Sequence, residues 1–217
     1  MRPICKIGEC FTPTDDANAV SRRSRLIGWL VGATIVAVFV PMAQADFDDG
    51  LAAYEQGDYA TAFKEFKTLA EQGNADGQYK LGMMYSNGDG VPHDAKKAEK
   101  WIRSAAEQGS AAAQNHLGVM YHQGQGARLP QDHKEAASWY RKAAEQGNAL
   151  GQSNLGEMYA YGRGVPQHYI LAHMWLNLAA AQGIERARKE RDIVAEKMTH
   201  EQIAEAQELA REWKPKE

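Results

Sequence analysis

The chain has 217 residues, of which 44% are apolar and 24% charged, with a formal net charge of −3. That balance is globular, and it lacks the basic excess that phosphate neutralisation needs, so nucleic acid is excluded as a partner class. The only cysteines, Cys5 and Cys10, sit at the amino terminus.

The amino terminus reads as an export signal. Arg22, Arg23 and Arg25 precede an apolar run over residues 26–40, then Pro41 and the small-residue site Ala43-Gln44-Ala45. A run of 15 is short of the roughly 20 residues a membrane-spanning helix needs, and the basic, apolar, small-residue order is that of a secretory signal. Residues 1–45 are therefore expected to be a signal peptide cleaved after Ala45, with membrane contact only in transit. An uncleaved anchor is the alternative. Arg25 stands where a twin-arginine signal has an aromatic, which favours general secretion. The acidic stretch ahead of Ser21 is long for a signal, which points to a translation start near Val20. Cleavage removes both cysteines, five basic and three acidic residues, leaving 20 basic against 25 acidic and a net charge of −5. No disulfide framework then remains, and the expected location is periplasmic or secreted.

Residues 46–217 read as one helical-repeat domain. Over 46–73 a short helical pair is written, with Leu51, Ala52 and Tyr54 in its first segment. Asp58 opens the second, where Ala62, Phe63, Phe66, Leu69 and Ala70 recur at helical spacing. The short turn Gln56-Gly57-Asp58 resembles that of a tetratricopeptide hairpin.

Three copies of one unit follow, over 74–109, 110–147 and 148–183. Leu81-Gly82-Met83-Met84-Tyr85 returns as Leu117-Gly118-Val119-Met120-Tyr121 and Leu155-Gly156-Glu157-Met158-Tyr159, offset by 36 and then 38 residues. The two extra residues fall in the loop between Gly124 and Pro130. In each copy Gln78, Leu81, Gly82 and Tyr85, or their equivalents, stand at i, i+3, i+4 and i+7 and share one buried helix face. A glycine inside a helix costs about 1 kcal/mol relative to alanine, so Gly82, Gly118 and Gly156 call for a close helix approach. Ala98, Ala136 and Ala172 are the expected partners. Gly88, Gly124 and Gly162 are suited to end the first helix with positive φ, and Pro92, Pro130 and Pro166 forbid its continuation. Asp94 and Asp132 then cap the second helix, a place His168 takes in the last copy. Trp101, Trp139 and Trp175 hold one register and read as inter-repeat core. Residues 184–217 read as a pair of carboxy-terminal capping helices, the second opened by a capping box at Thr199-His200-Glu201-Gln202.

Gln78, Leu81-Gly82, Met84-Tyr85, Gly88, Gly90-Val91-Pro92, Ala98, Trp101 and Ala105-Ala106-Glu107-Gln108-Gly109 together resemble the Sel-one-like repeat, a relative of the tetratricopeptide repeat. The resemblance implies an all-α fold, a right-handed α-α superhelix (solenoid) of antiparallel helix pairs, with first helices lining the concave side. It also implies an adaptor for other macromolecules, often in the bacterial envelope. A cysteine-rich branch of the family is linked to penicillin binding or β-lactam hydrolysis, but residues 46–217 contain no cysteine.

Catalytic and metal signatures do not assemble. Gly88-Asp89-Gly90 and its copies follow a helix, whereas phosphate-cradling loops follow a strand. Thr61-Ala62-Phe63-Lys64 is the nearest string to Ser-x-x-Lys and has no companion motif. The seven histidines form no i, i+4 pair, so neither a metal nor any other cofactor is expected, and no enzyme.

Function is therefore sought where the copies differ. One stripe off the buried face stand Tyr79, Met83 and Ser86 in the first copy, Asn115, Val119 and His122 in the second, and Ser153, Glu157 and Ala160 in the third. Lys80, His116 and Asn154 lie beside them. This strip is expected to bind a protein or peptide on the concave face through Tyr79, Lys80, Met83, Asn115, His116, Val119, His122, Ser153, Asn154 and Glu157. The alternatives are a cell-wall or β-lactam hydrolase and a self-associating structural protein.

Overall fold

The computed structural model describes residues 46–125 and 129–216. The signal segment, its cleavage site, the start near Val20 and both cysteines lie outside the described residues, as do Gly126, Ala127 and Arg128 of the long loop. Ten helices and no strand occur among the described residues: α1 Phe47–Glu55, α2 Tyr59–Glu71, α3 Ala75–Asn87, α4 Ala95–Glu107 and α5 Ala111–Gln123. They continue as α6 His133–Glu145, α7 Ala149–Tyr161, α8 Tyr169–Ala181, α9 Glu185–Ala195 and α10 His200–Glu212.

Local chemistry sets the boundaries. Gly88, Gly124 and Gly162 terminate α3, α5 and α7 at φ of 80°, 66° and 64°, a left-handed conformation that side chains with a Cβ resist. The Asp94 carboxylate accepts from the N–H groups of Lys96 and Lys97 at 3.1 and 3.0 Å, and Asp132 does the same for Lys134 and Glu135 at 2.9 and 3.1 Å. Without an aspartate, α8 is capped by imidazole: the Leu171 N–H donates to Nδ1 of His168 at 3.3 Å. Thr199 and Gln202 form both bonds of a capping box.

Consecutive helices pack as antiparallel pairs, and the pairs stack into a right-handed superhelix. Successive first helices α3, α5, α7 and α9 also approach one another, whereas the backbones of α2, α4, α6 and α8 stay farther apart, so the first helices line the concave side. The helix-crossing glycines explain how close each pair is. A Cβ on Gly82, Gly118 or Gly156 would lie 2.8 Å from Ile102 Cγ1, 2.6 Å from Tyr140 Cδ1 or 2.7 Å from Leu176 Cγ. The expected alanines take part through their carbonyl oxygens, 3.2, 3.3 and 3.2 Å away, and the side chain one turn later covers the glycine. In the first pair Gly50 plays the same part against Phe66, at 2.9 Å. Ala52 on the same helix is exposed, because α1 turns Gly50 to the core.

A buried amide clasp joins each pair to the one before. Gln78, Gln114 and Gln152 each donate from Nε2 to a carbonyl at the end of the preceding second helix: Ala70 at 3.2 Å, Ala106 at 3.1 Å and Ala144 at 3.3 Å. Each accepts in turn from the glutamine that closes its own pair, Gln108, Gln146 or Gln182, at 2.7 to 2.8 Å. One residue type thereby satisfies a helix-end carbonyl and locks two hairpins. The tryptophans add apolar contact across the same joint. Trp101 packs on the cluster of Ala62 and Phe66, Trp139 on that of Ile102 and Ala105, and Trp175 on that of Ala136 and Ala137.

The two carboxy-terminal helices pack at separate places on the last repeat. α9 lies against α7 and α8, in the place of a further first helix, but α10 packs on α8 and makes no comparable contact with α9. Its Ala206 and Ala210 are buried, and Trp213 meets the ring of Trp175 edge-on at 5.9 Å. The tail then runs back to the preceding repeat, where the Lys216 N–H donates to the Glu145 carbonyl and its ammonium pairs with the Glu145 carboxylate, both at 2.8 Å. This accounts for α8 being apolar nearly all round, since α7, α9 and α10 each cover one side of it.

Candidate functional site

The strip of differing residues lies where successive first helices face each other on the concave side, and most of it is engaged sideways. The ring of Tyr79 on α3 meets that of His116 on α5 edge-on at 6.0 Å. One repeat further, at the equivalent positions, Nδ2 of Asn154 donates to Oδ1 of Asn115 at 2.8 Å. At the third joint Arg186 of α9 donates to Ser153 Oγ at 3.4 Å and to Asn154 Oδ1 at 2.7 Å. Tyr79 and Met83 also pack half-buried against the cluster around Ile102 and Leu117. Ser153 is fully buried and offers nothing to a partner, because α9 closes over that end of α7. Lys80, Met83, Val119, His122 and Glu157 remain half-exposed.

Two equivalent clefts open between these helices. The first, of about 200 Å³ between α3 and α5, is lined by Ser86, Ile102, His116, Met120 and Gln125 among others. The second, of about 180 Å³ between α5 and α7, has at those same positions His122, Tyr140, Asn154, Met158 and Arg163, with Glu157 and Arg186 added. Four expected site residues thus come together in the second cleft: Val119, His122, Asn154 and Glu157. Only His116 lines the first, and Tyr79, Lys80, Met83, Asn115 and Ser153 line neither.

The second cleft is electrostatically distinctive. Arg186 Nε stands 3.0 Å from Glu157 Oε1, in ion-pair contact but outside the alignment of a hydrogen bond. Burial raises the Glu157 carboxyl above its ordinary range, a shift that Arg186 opposes. Tyr140 is raised as well, first by burial and then by the Glu157 charge. The His122 imidazole is lowered by burial and by the nearby His133 and Arg163. Its ring lies 4.9 Å from that of His133, and neither buried Nδ1 has a hydrogen-bond partner among the described residues. No group of three or more His, Cys, Asp or Glu side chains among the described residues is arranged as metal ligands.

Sequence reasoning missed Tyr140, Arg163 and Arg186 as site residues. Tyr140 holds the core register of Ile102 and Leu176, so it read as core, yet it carries a hydroxyl where its counterparts carry none. Arg163 differs from Gln125 at one register, a difference visible in the loop. Arg186 gave no signal, because only the return of α9 brings it to the cleft.

Stacked antiparallel helix pairs with a concave face built from first helices define a helical-repeat solenoid of the tetratricopeptide-related kind. The Sel1 repeat matches three times, at residues 75–110, 111–148 and 149–184, and the chain belongs to that family. Sel1 repeat proteins are in general protein-interaction scaffolds. The chain is similar to a Sel1 repeat protein from Oxalobacter formigenes, at 39% identity and a TM-score of 0.56, over 59% of this chain and 96% of that one. It is also similar to c5321, described as a protective antigen present in uropathogenic Escherichia coli strains and displaying an SLR fold, at 31% identity and a TM-score of 0.53. That match covers 78% of this chain but 46% of the antigen, so this chain spans less than half its length. No curated protein matches the sequence.

Proposed function

We propose that this protein is a non-catalytic interaction scaffold exported to the bacterial cell envelope, where it holds a segment of a partner protein in its concave groove. The observation that carries the reading is the α5–α7 cleft. It opens on the inner face of the stack and gathers Val119, His122, Asn154 and Glu157, residues that differ from their counterparts in the other copies. A lining that sets Val119 and Met158 among polar side chains is the make-up of a protein-binding patch. The export signal read in residues 1–45 supports the envelope setting, and the description of a similar protein as a protective antigen agrees with it.

The test is site-specific photo-crosslinking in the producing cell. A photoreactive residue at Gln123, exposed at the cleft, is expected to give a discrete adduct, and one at Ser138, exposed on the outer helix α6, is expected to give none. Adducts from Ser138 alone, or from neither position, contradict the reading. An adduct whose mass is twice that of the chain identifies self-association instead. Amino-terminal sequencing of the exported form is expected to begin at Asp46; an intact Met1 contradicts cleavage.

A further inference from the structure

We propose that His122 and His133 form a bis-imidazole site for one divalent transition-metal ion, a clip across the loop between α5 and α6. His122 stands on the last turn of α5 and His133 is the first residue of α6, and their rings lie 4.9 Å apart, centroid to centroid. Two imidazole nitrogens held about 2.0 to 2.1 Å from one ion, at an angle between about 90° and 110°, place their ring centroids roughly 4.5 to 5.1 Å apart. The observed separation falls in that range. Each ring also holds a buried Nδ1 with no hydrogen-bond partner among the described residues. Buried polar atoms are ordinarily satisfied, and two such atoms on adjoining rings are answered together by one shared ion.

The copies supply an internal control. Where the second copy has His122 and His133, the first has Ser86 and Ala95 and the third has Ala160 and Tyr169. The second copy is also the one whose loop carries two extra residues, between Gly124 and Pro130. A longer loop costs more entropy to close, and a bridge between its two feet offsets that cost. Both histidines thus occur together, and only in the copy with the long loop. Periodicity along a single helix does not reveal such a pair, since its members come from two.

The ligand set decides the ion. Neutral imidazole suits copper, nickel and zinc, whereas calcium and magnesium need oxygen ligands that the pair lacks. No third His, Cys, Asp or Glu joins the two rings among the described residues, so water completes the coordination. His122 also lines the α5–α7 cleft of about 180 Å³, which gives the ion a path in and its waters room. Of the charged groups lining that cleft, Arg163 and Arg186 oppose a cation and Glu157 favours one, so the ion is held by its bonds to nitrogen rather than by the local field. Copper(II), which leads the affinity order of the divalent first-row ions, is the tightest expected occupant.

The experiment uses the chain without an affinity tag, with any Cys5 or Cys10 thiol alkylated, and compares Cu(II), Zn(II) and Ca(II) with an EDTA-treated control. One equivalent of Cu(II) is expected to bind and to give an electron paramagnetic resonance spectrum split by equatorial nitrogens. Saturating Zn(II) is expected to raise the thermal midpoint by about 3 °C or more, and Ca(II) to leave it unchanged. His122→Ser and His133→Ala install the residues of the first copy. Each is expected to unfold like wild type in EDTA, to weaken Cu(II) about tenfold or more, and to lose the Zn(II) shift. Should either variant fail to fold, ring-nitrogen NMR of wild type decides, with Zn(II) expected to move His122 and His133 ahead of His116 and His200. No binding by wild type, equal stabilisation by Ca(II), variants that bind as tightly as wild type, or shifts that begin at other histidines overturns the clip, the last two by showing an adventitious ion only. None of these outcomes depends on the crosslinks at Gln123.

Discussion

Each first helix has two working faces, and they are built on different rules. The face turned to its own hairpin partner repeats almost without change: leucine at 81, 117 and 155, glycine at 82, 118 and 156, all buried. The face turned across the groove to the next first helix changes in every copy, yet the changes are matched in pairs, Tyr79 with His116, Asn115 with Asn154, Ser153 with Arg186. Likeness between copies therefore reports contact within a hairpin. Unlikeness reports first the fit between hairpins, and only where no such pairing exists does it point to a guest.

The sharpest attack on this comparison is on the repeated face. Leu117→Ala is expected to cost about 2 to 5 kcal/mol, since Leu117 is fully buried, and urea denaturation reads the loss directly. Gly118→Leu adds volume where a Cβ alone already meets the Tyr140 ring at 2.6 Å, and is expected to cost about 3 kcal/mol or more. Were either variant to keep the wild-type midpoint, the repeated face would not be the packed one. Gln114→Ala strands the Ala106 carbonyl and the Gln146 amide and is expected to cost about 1 to 3 kcal/mol, which would show the clasp to be a structural joint rather than an incidental bond.

The stack as a whole responds to acid, through His116 and His122 on α5 and His173 on α8. Burial holds His116, His122 and His173 below the ordinary imidazole value of 6.5. In the window just below 6.5 the unfolded chain takes up protons that the folded chain refuses. Their stabilising contribution is therefore complete above that pH and is lost as pH falls through it toward the folded values. Glu157, raised by burial, works in the opposite direction. The clean reading is a difference: His116→Gln is expected to show a shallower fall in urea midpoint than wild type between about pH 7.5 and 5.5. Parallel curves for the two proteins would contradict the burial of that imidazole.

Much of the scaffold was legible because its determinants are local. A glycine that must take positive φ, a proline behind it and an aspartate two residues further on fix where one helix ends and the next begins, and Gly88-Asp89-Gly90-Val91-Pro92-His93-Asp94 writes all three in seven residues. The lateral pairs were hidden because their members are distant: Asn115 and Asn154 are 39 residues apart, on helices that periodicity alone cannot place side by side. The same limit hid the partner of α10: an amphipathic stripe says that a helix has a buried side but not against what, and the fold supplies α8. The cleft was half legible, since Val119, His122 and Glu157 lie on the expected strip while the residues that complete it come from the hairpin partner, the loop and α9.

The smallest expected effect is also the most direct measurement, a double-mutant cycle on Asn115 and Asn154. Each alanine variant alone is expected to cost about 0.5 to 1.5 kcal/mol, and the double variant less than the sum, with a coupling of about 0.5 kcal/mol or more. Costs that simply add would mean that the two amides ignore each other, and that the differences between copies are free of the stack after all.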